Sequence, residues 1–379
     1  MTTVPSLMPP VAAETPELAA LRREVRAFVA DEIAQRRWEP GVDSWLTGWD
    51  PAFSKRLAGH GWLGMTIPPE YGGRGRGFLE RFAVTEELLA AGAPVGFHWI
   101  ADRQVAPSLL RFGTEEQKQA YLPRIAAGEC SFAIGMSEPD SGSDLASVRT
   151  RAEKVDGGWR VTGTKVWTSG AHEAEAFIAL VRTAPADPQH RHDGLSQLIV
   201  ELRAPGVRIS PIISMTGRHH FNEVHLDDVF IPDERLLGDV GSGWLQVTSE
   251  LAYERSGPER WLSTFLLVRA WASGADAGGD VGLGATVGRL RALHEMSLAV
   301  AAALQAGAEA DLPAAMVKVL GTRFEGDIAE RAHLATTPGD GSAYGEAVQL
   351  ALLQRPGFTL RGGTNEILRG VIARGLGMR

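Results

Sequence analysis

The 379-residue sequence contains one cysteine, Cys130. A single thiol cannot form an internal disulfide, so stability does not depend on an oxidising compartment. Cys130 lies in GECSFAIGM beside an apolar run, where a buried, inert thiol is expected rather than a nucleophile. Positive charge is also scarce. Lys and Arg total 38 against 46 Asp and Glu, a net charge of −8. That balance excludes the basic stripe a nucleic-acid binder needs, though a local cluster could still meet a small polyanion. Long apolar runs are missing too, and none approaches the ~20 residues that span a bilayer. The N-terminal MTTVPSLMPPVAAETPEL has no basic segment followed by an apolar core, so no signal peptide is expected. Together these absences predict a cytoplasmic protein with no membrane span and no nucleic-acid partner. Metal is not indicated either: His219-His220 has no third ligand spaced nearby and reads as barrel-edge histidines.

The length suffices for two or three domains around a large core. Residues 1–130 read as a helical domain. Thr15-Pro16 is an N-cap followed by proline at the first helical position, and Leu18, Leu21, Val25, Phe28 and Val29 then share one face. Asp50-Pro51 repeats the start signal, and Thr114 to Gln117 forms a capping box. IPPEYGGRGRG between them reads as a loop. Residues 131–240 change texture. WRVTGTKVWTSG, AFIALVRT, SQLIVELRAPGVRISPI and EVHLDDVFIP are Val/Ile/Thr-rich segments punctuated by Gly, Pro and Asp, as in a strand sandwich or barrel. Alternation fails at Val224, Leu226 and Val229, so a bulge is expected near Asp227-Asp228. Residues 241–379 return to helical texture, with runs at 243–272, 285–305, 312–335, 341–354 and 364–375. The class is α+β, with a compact β insert between two helical blocks.

Two stretches carry chemistry. FAIGMSEPDSGSD ends an apolar strand in a loop dense in Ser, Gly and Asp, which offers hydroxyls and bare amides to a phosphate or a heterocycle's polar edge. By composition alone, a polar turn closing a strand explains it better. TGTKVWTSG ends a second strand in small hydroxyl residues beside Trp167, which could stack on a planar cofactor or simply close a barrel end. GGRGRG and GLGATVG are not dinucleotide fingerprints, because the first lacks the strand–turn–helix frame and the second reads as a helix start.

As a set, the motifs closely resemble the acyl-CoA dehydrogenase family. The resemblance runs from about residue 15 to 379 with its blocks in order. GWLGMTIPPEYGG and FGTEEQKQAYLPRIAAGE match the helical N-terminal domain, SEPDSGSD and KVWTSG the two flavin-binding strand ends, FNEVHLDDVFIP the end of the middle domain, and RGGTNEILRGVIARGLG the C-terminal flavin turn. The resemblance implies a helical N-domain, a middle β-barrel and a C-terminal four-helix bundle. It also implies FAD and α,β-dehydrogenation of an acyl thioester, in which a carboxylate takes the α-proton while the β-hydrogen leaves as hydride to flavin N5. By motif position, Met136 and Ser137 should lie along the flavin ring and Ser143 should reach the pyrophosphate. Trp167 should flank the ring system, Ser169 should bond near N5, and Thr364 and Glu366 should meet the cofactor at the C-terminal turn.

Many family members carry the catalytic glutamate in that turn, where this sequence has Gly362. A minority, including the isovaleryl and long-chain branches, places it on a helix at the position of Glu254 in ELAYERSGPERW. The resemblance therefore implies Glu254 as the base, against an ordinary helix carboxylate paired with Arg255 or Arg260. Arg255 matches an arginine near the active site, with a structural salt bridge as its alternative. Gly362 still has a backbone N–H, which the resemblance implies binds the thioester oxygen. Without a side chain there, the sequence predicts room for bulky or branched acyl groups. The family's Arg-x-x-Phe-Gly sequence and its Gln–glycine run, both of which hold the adenine half of FAD, are absent here. GDVGLGATVGRLRAL and ALLQRPGFTLRGG stand in their regions. Expected partners are an acyl-CoA, an electron acceptor such as an electron-transfer flavoprotein, and further subunits in a homodimer, homotetramer or hetero-oligomer with a related chain. Two alternatives stay open: a non-catalytic subunit completing a partner's flavin site, and a flavin oxidase or dehydrogenase acting on carrier-protein thioesters.

Overall fold

The computed structural model describes residues 7–274, 279–337 and 339–378, without the side chains of residues 250–254. In chain order the helices are α1 (Pro16–Ala34), α2 (Ser44–Thr47), α3 (Pro51–Gly59), α4 (Phe78–Ala90), α5 (Gly96–Ile100), α6 (Ala106–Phe112), α7 (Glu115–Ala126), α8 (Gly243–Arg255), α9 (Phe265–Ala272), α10 (Val281–Gln305), α11 (Asp311–Ala335), α12 (Ala343–Phe358) and α13 (Asn365–Gly375). The strands are β1 (Phe132–Gly135), β2 (Arg151–Val155), β3 (Gly158–Lys165), β4 (Ala176–Arg182), β5 (Leu195–Glu201), β6 (Val207–Ile213), β7 (His219–Pro232) and β8 (Leu236–Leu237). These elements fall into two compact units. One comprises Met1–Gly48, Arg76–Pro94 and Ala252–Arg379, the other Trp49–Gly75 and Val95–Leu251.

Helices begin where short polar side chains can take up free amides. Thr15 accepts from Leu18 N at 3.3 Å and Asp50 from Phe53 N at 2.8 Å. Thr114 and Gln117 cap each other reciprocally at the start of α7. Asp280 opens α10 by accepting from Gly282 N and Leu283 N, so GLGATVG does start a helix. The run expected over 243–272 is broken instead. Pro258 has no N–H to continue the ladder and holds Gly257 extended (φ −77°, ψ 165°), so α8 stops at Arg255 and a 3₁₀ turn leads toward α9.

In the strand-bearing unit, one eight-stranded mixed sheet runs β6–β7–β3–β2–β4–β5–β8, with β1 pairing parallel to β4. The expected bulge is present. Val161 pairs with Val229 and Gly163 with Leu226, which leaves Asp227 and Asp228 opposite one residue, and Asp228 takes φ +52°. Strand β4 is buried along almost its whole length because both its faces are covered. Phe177, Ala179 and Val181 pack with Trp159, Val161, Val224, Leu226 and Val229. Ala176 and Ile178 face the helices through Val105, Leu109, Leu122 and Ile125. Burying each Val, Leu, Ile or Phe of these clusters contributes about 1.5–3 kcal/mol, and this fixes the strand ends.

In the all-helical unit, α11 packs against α10, α12 and α13. Val317, Phe324 and Ile328 of α11 are buried, as are Val348, Phe358 and Leu368. Among the described residues, no helix is long and apolar enough to cross a membrane.

Candidate active site

The strand-bearing unit brings the two hydroxyl-rich strand ends side by side. Val166 N donates to Ser137 O at 2.9 Å, which joins the exit of β1 to the exit of β3. Met136 and Ser137 are half-buried there, and Ser169 follows two residues after Trp167. The Trp167 ring is 58% exposed and meets Phe221 edge-on at 5.6 Å. Its backbone is left-handed, φ +59°, which is rare for a bulky residue and needs support from its surroundings. Ser143 lies farther along the first loop and is exposed.

A buried ion pair, not anticipated from the sequence, holds these ends together. Lys165, fully buried, donates to Glu138 Oε1 at 2.8 Å and to Met136 O at 3.2 Å. Glu138 also accepts from Arg149 N at 2.7 Å and Thr150 N at 2.9 Å. Burial disfavours the Glu138 charge, but the Lys165 ammonium and these bonds outweigh it and hold the carboxyl below its ordinary range. Burial likewise brings Lys165 down to about 8, opposed by Glu138. The pair stays satisfied, so it acts as a cross-link and not as a proton donor.

The all-helical unit builds the second constellation around the glycine pair. Gly362 and Gly363 adopt φ +67° and +85°. Both positions favour glycine for backbone reasons alone, so space for substrate is not needed to explain them. Arg255 Nε donates to Gly362 O at 3.1 Å, which brings the end of α8 against the turn. Lys318 is fully buried on α11 and donates to Thr359 O (2.9 Å), Gly363 O (2.7 Å) and Asn365 Oδ1 (2.9 Å). Arg361 pairs with buried Asp43 at 2.7 Å and stacks on Trp45. Three cations thus hold one turn. Thr364 Oγ1 caps α13 by accepting from Ile367 N, and Glu366 is exposed in the first turn. Glu254 belongs to the last turn of α8, and its side chain lies outside the described residues.

Lys318 carries a sequence signal, a lone lysine in an apolar stretch (MVKVLG), and Lys165 carries none as clear, and the partners of both are distant in sequence. Cys130 is buried, and burial pushes its thiol up to about 12, away from any nucleophilic role at neutral pH. No group of three His, Cys, Asp or Glu among the described residues is placed to hold a metal.

The strand ends fit a flavin's polar edge. The hydroxyls of Ser137, Ser143 and Ser169 make no hydrogen bond among the described residues, the Trp167 ring is open, and the buried Thr168 Oγ1 beside it is unpaired. Such a set of uncommitted donors beside an exposed indole suits a planar, hydrogen-bonding ligand.

Comparison with known proteins agrees. The chain matches the acyl-CoA dehydrogenase N-terminal domain over residues 15–129, the middle domain over 133–229 and the C-terminal domain over 281–377. It is 37% identical over 274 residues to acyl-CoA dehydrogenase FadE26 of Mycobacterium tuberculosis, covering 70% of this chain and 68% of the relative. It is 34% identical over 376 residues to acyl-CoA dehydrogenase FadE34 of the same organism, covering 95% of this chain. There it spans about half of the relative's length, 49%. The solved Tcur3481–Tcur3483 steroid ACAD superposes with TM-score 0.81 at 30% identity, over 97% of this chain and 99% of that one. Motifs, fold and relatives converge, and the chain belongs to the acyl-CoA dehydrogenase family.

Proposed function

We propose that the protein catalyses FAD-dependent α,β-dehydrogenation of an acyl-CoA thioester to the 2-enoyl-CoA. Glu254 is the base that takes the α-proton. The observation that carries this reading is the Arg255–Gly362 bond, which sets the residue next to Glu254 against the turn bearing the thioester-binding amide. A carboxylate borne by helix α8 can serve where the turn itself carries none. The Gly362 N–H donates to the thioester oxygen, and that bond strengthens as enolate charge develops. Arg255, Lys318 and Arg361 keep the amide aimed. Met136, Ser137, Ser143, Trp167 and Ser169 hold FAD, with Thr364 and Glu366 contributing from the start of α13. Bound FAD would supply the redox chemistry by accepting the β-hydrogen as hydride.

Bulky acyl groups are the substrate class we favour, since a structural relative at 30% identity is a steroid ACAD. A hetero-oligomer with a second, related chain is the assembly we favour. FadE34 is about twice the aligned length, the solved relative is named for two gene products, and the adenine-binding motifs are missing here. Electrons would pass on to a protein acceptor such as an electron-transfer flavoprotein. The test is anaerobic mixing of the purified chain with linear, branched and polycyclic acyl-CoAs while flavin absorbance is followed. Bleaching by at least one bulky thioester is expected. A chain that binds flavin but is reduced by none of them would overturn the reading, and a chain that takes up flavin only with a partner would favour the subunit alternative.

A further inference from the structure

We infer that Asn222 is a positioning residue whose side-chain amide holds the left-handed Trp167–Thr168 turn in place. Its consequence for FAD rests on the strand-end reading above. Along β7, alternate residues His220, Asn222, Val224 and Leu226 are buried. Val224 and Leu226 are the apolar residues expected of a strand's inner face; an asparagine in the same row, fully buried, must find partners or cost stability. Two of its bonds go to the turn. Asn222 Nδ2 donates to Thr168 O at 2.9 Å, while Thr168 N donates to Asn222 O at 3.0 Å. The next turn residue with a ladder bond is Gly170, whose N–H donates to His220 O at 2.8 Å. The asparagine side chain therefore fixes Thr168 from its carbonyl side, directly after the strained Trp167.

Two histidines fix the amide in turn. The second Nδ2 hydrogen points to His172 Nδ1 at 3.1 Å, and Oδ1 meets His219 Nε2 at 2.7 Å. Since Nδ2 can only donate and Oδ1 can only accept, His172 Nδ1 is the acceptor and His219 Nε2 carries the proton. The two imidazoles stack at 3.9 Å. Burial, and then the neighbouring His219, hold His172 below its ordinary range, which favours the neutral imidazole that this acceptor role requires. A flipped amide would set Oδ1 against the Thr168 carbonyl, acceptor to acceptor, so one orientation is selected.

The experiment uses the full chain carrying its flavin. Asn222→Leu removes every side-chain bond; Asn222→Asp keeps the size but replaces the donor facing Thr168 O, and serves if the leucine variant does not fold. Trp167 is isolated as the fluorescence difference between each protein and its Trp167→Phe counterpart. In folded variants, we expect altered acrylamide quenching of the Trp167 signal, a shifted flavin absorption spectrum and about tenfold weaker flavin retention, the effect of one lost buried bond. An unchanged Trp167 signal would overturn the inference. A changed Trp167 signal with an unchanged flavin spectrum and retention would leave Asn222 as the holder of the turn and refute the placement of flavin against it.

Discussion

Glu325 gives the account a quantitative test that is independent of substrate. It sits on α11, fully buried, and accepts from Ser263 N at 2.8 Å through Oε1. Its Oε2 has no hydrogen-bond partner among the described residues. Burial pushes the carboxyl from its usual 4.5 to about 7; Arg361 and Ser263 oppose the shift and Asp43 adds to it. The native state thus holds a proton between those two values that the unfolded chain has released. A raised carboxyl contributes stability that is fully present below pH 4.5 and is lost as pH rises through 7. A displacement of this size corresponds to about 3 kcal/mol. Glu325→Gln keeps the shape and stays neutral, so it should come within about 1 kcal/mol of wild type near pH 5 and exceed it at pH 8 by up to about 3 kcal/mol, or roughly 4 °C in Tm. Thermal unfolding of both proteins from pH 5 to 8 reads the gap. A gap that does not change with pH, or a wild type that is the more stable protein at pH 8, would refute the reasoning.

Lys318→Met should cost about 2–4 kcal/mol, because Gly363 O loses its charged donor while Thr359 O and Asn365 Oδ1 keep other partners; urea unfolding at fixed pH measures it. Ser143→Ala and Trp167→Ala should each lower flavin retained through gel filtration, and unchanged stoichiometry and affinity in both would refute the strand-end placement. Gly362→Ala should destabilise by about 1–2 kcal/mol through its left-handed backbone alone. It should also lower kcat/KM on linear and bulky thioesters by the same factor; a selective loss on bulky ones would restore the space argument for this glycine.

Features governed by near neighbours were legible in the sequence. Thr15, Asp50 and Thr114 cap helices because a cap needs only the next three residues. The bulge at Asp227-Asp228 showed as a break in alternation. The end of α8 was less legible, since the helical texture over 243–272 runs through Pro258, before which the chain leaves the helix altogether. What holds the candidate site was not legible, because its bonds join distant positions. Glu138 reaches Lys165, Lys318 reaches Gly363, Arg361 reaches Asp43, and Asn222 reaches Thr168. Lys318, in MVKVLG, is a charged residue in an apolar context, a pattern that flags a buried partner without naming it. Gly362 shows the opposite difficulty. A missing side chain was visible, but the positive φ that accounts for it is a property of the folded turn.

The central claim is that a carboxylate on α8 does the work of one in the glycine turn. Rapid anaerobic mixing of Glu254→Gln with a saturating acyl-CoA that reduces the wild type, monitored by flavin absorbance, tests it most directly. The substitution keeps size and removes basicity, so flavin content should be unchanged while the reduction rate falls ~10²–10⁴-fold. Reduction of a flavin-replete Glu254→Gln protein at the wild-type rate would contradict the account.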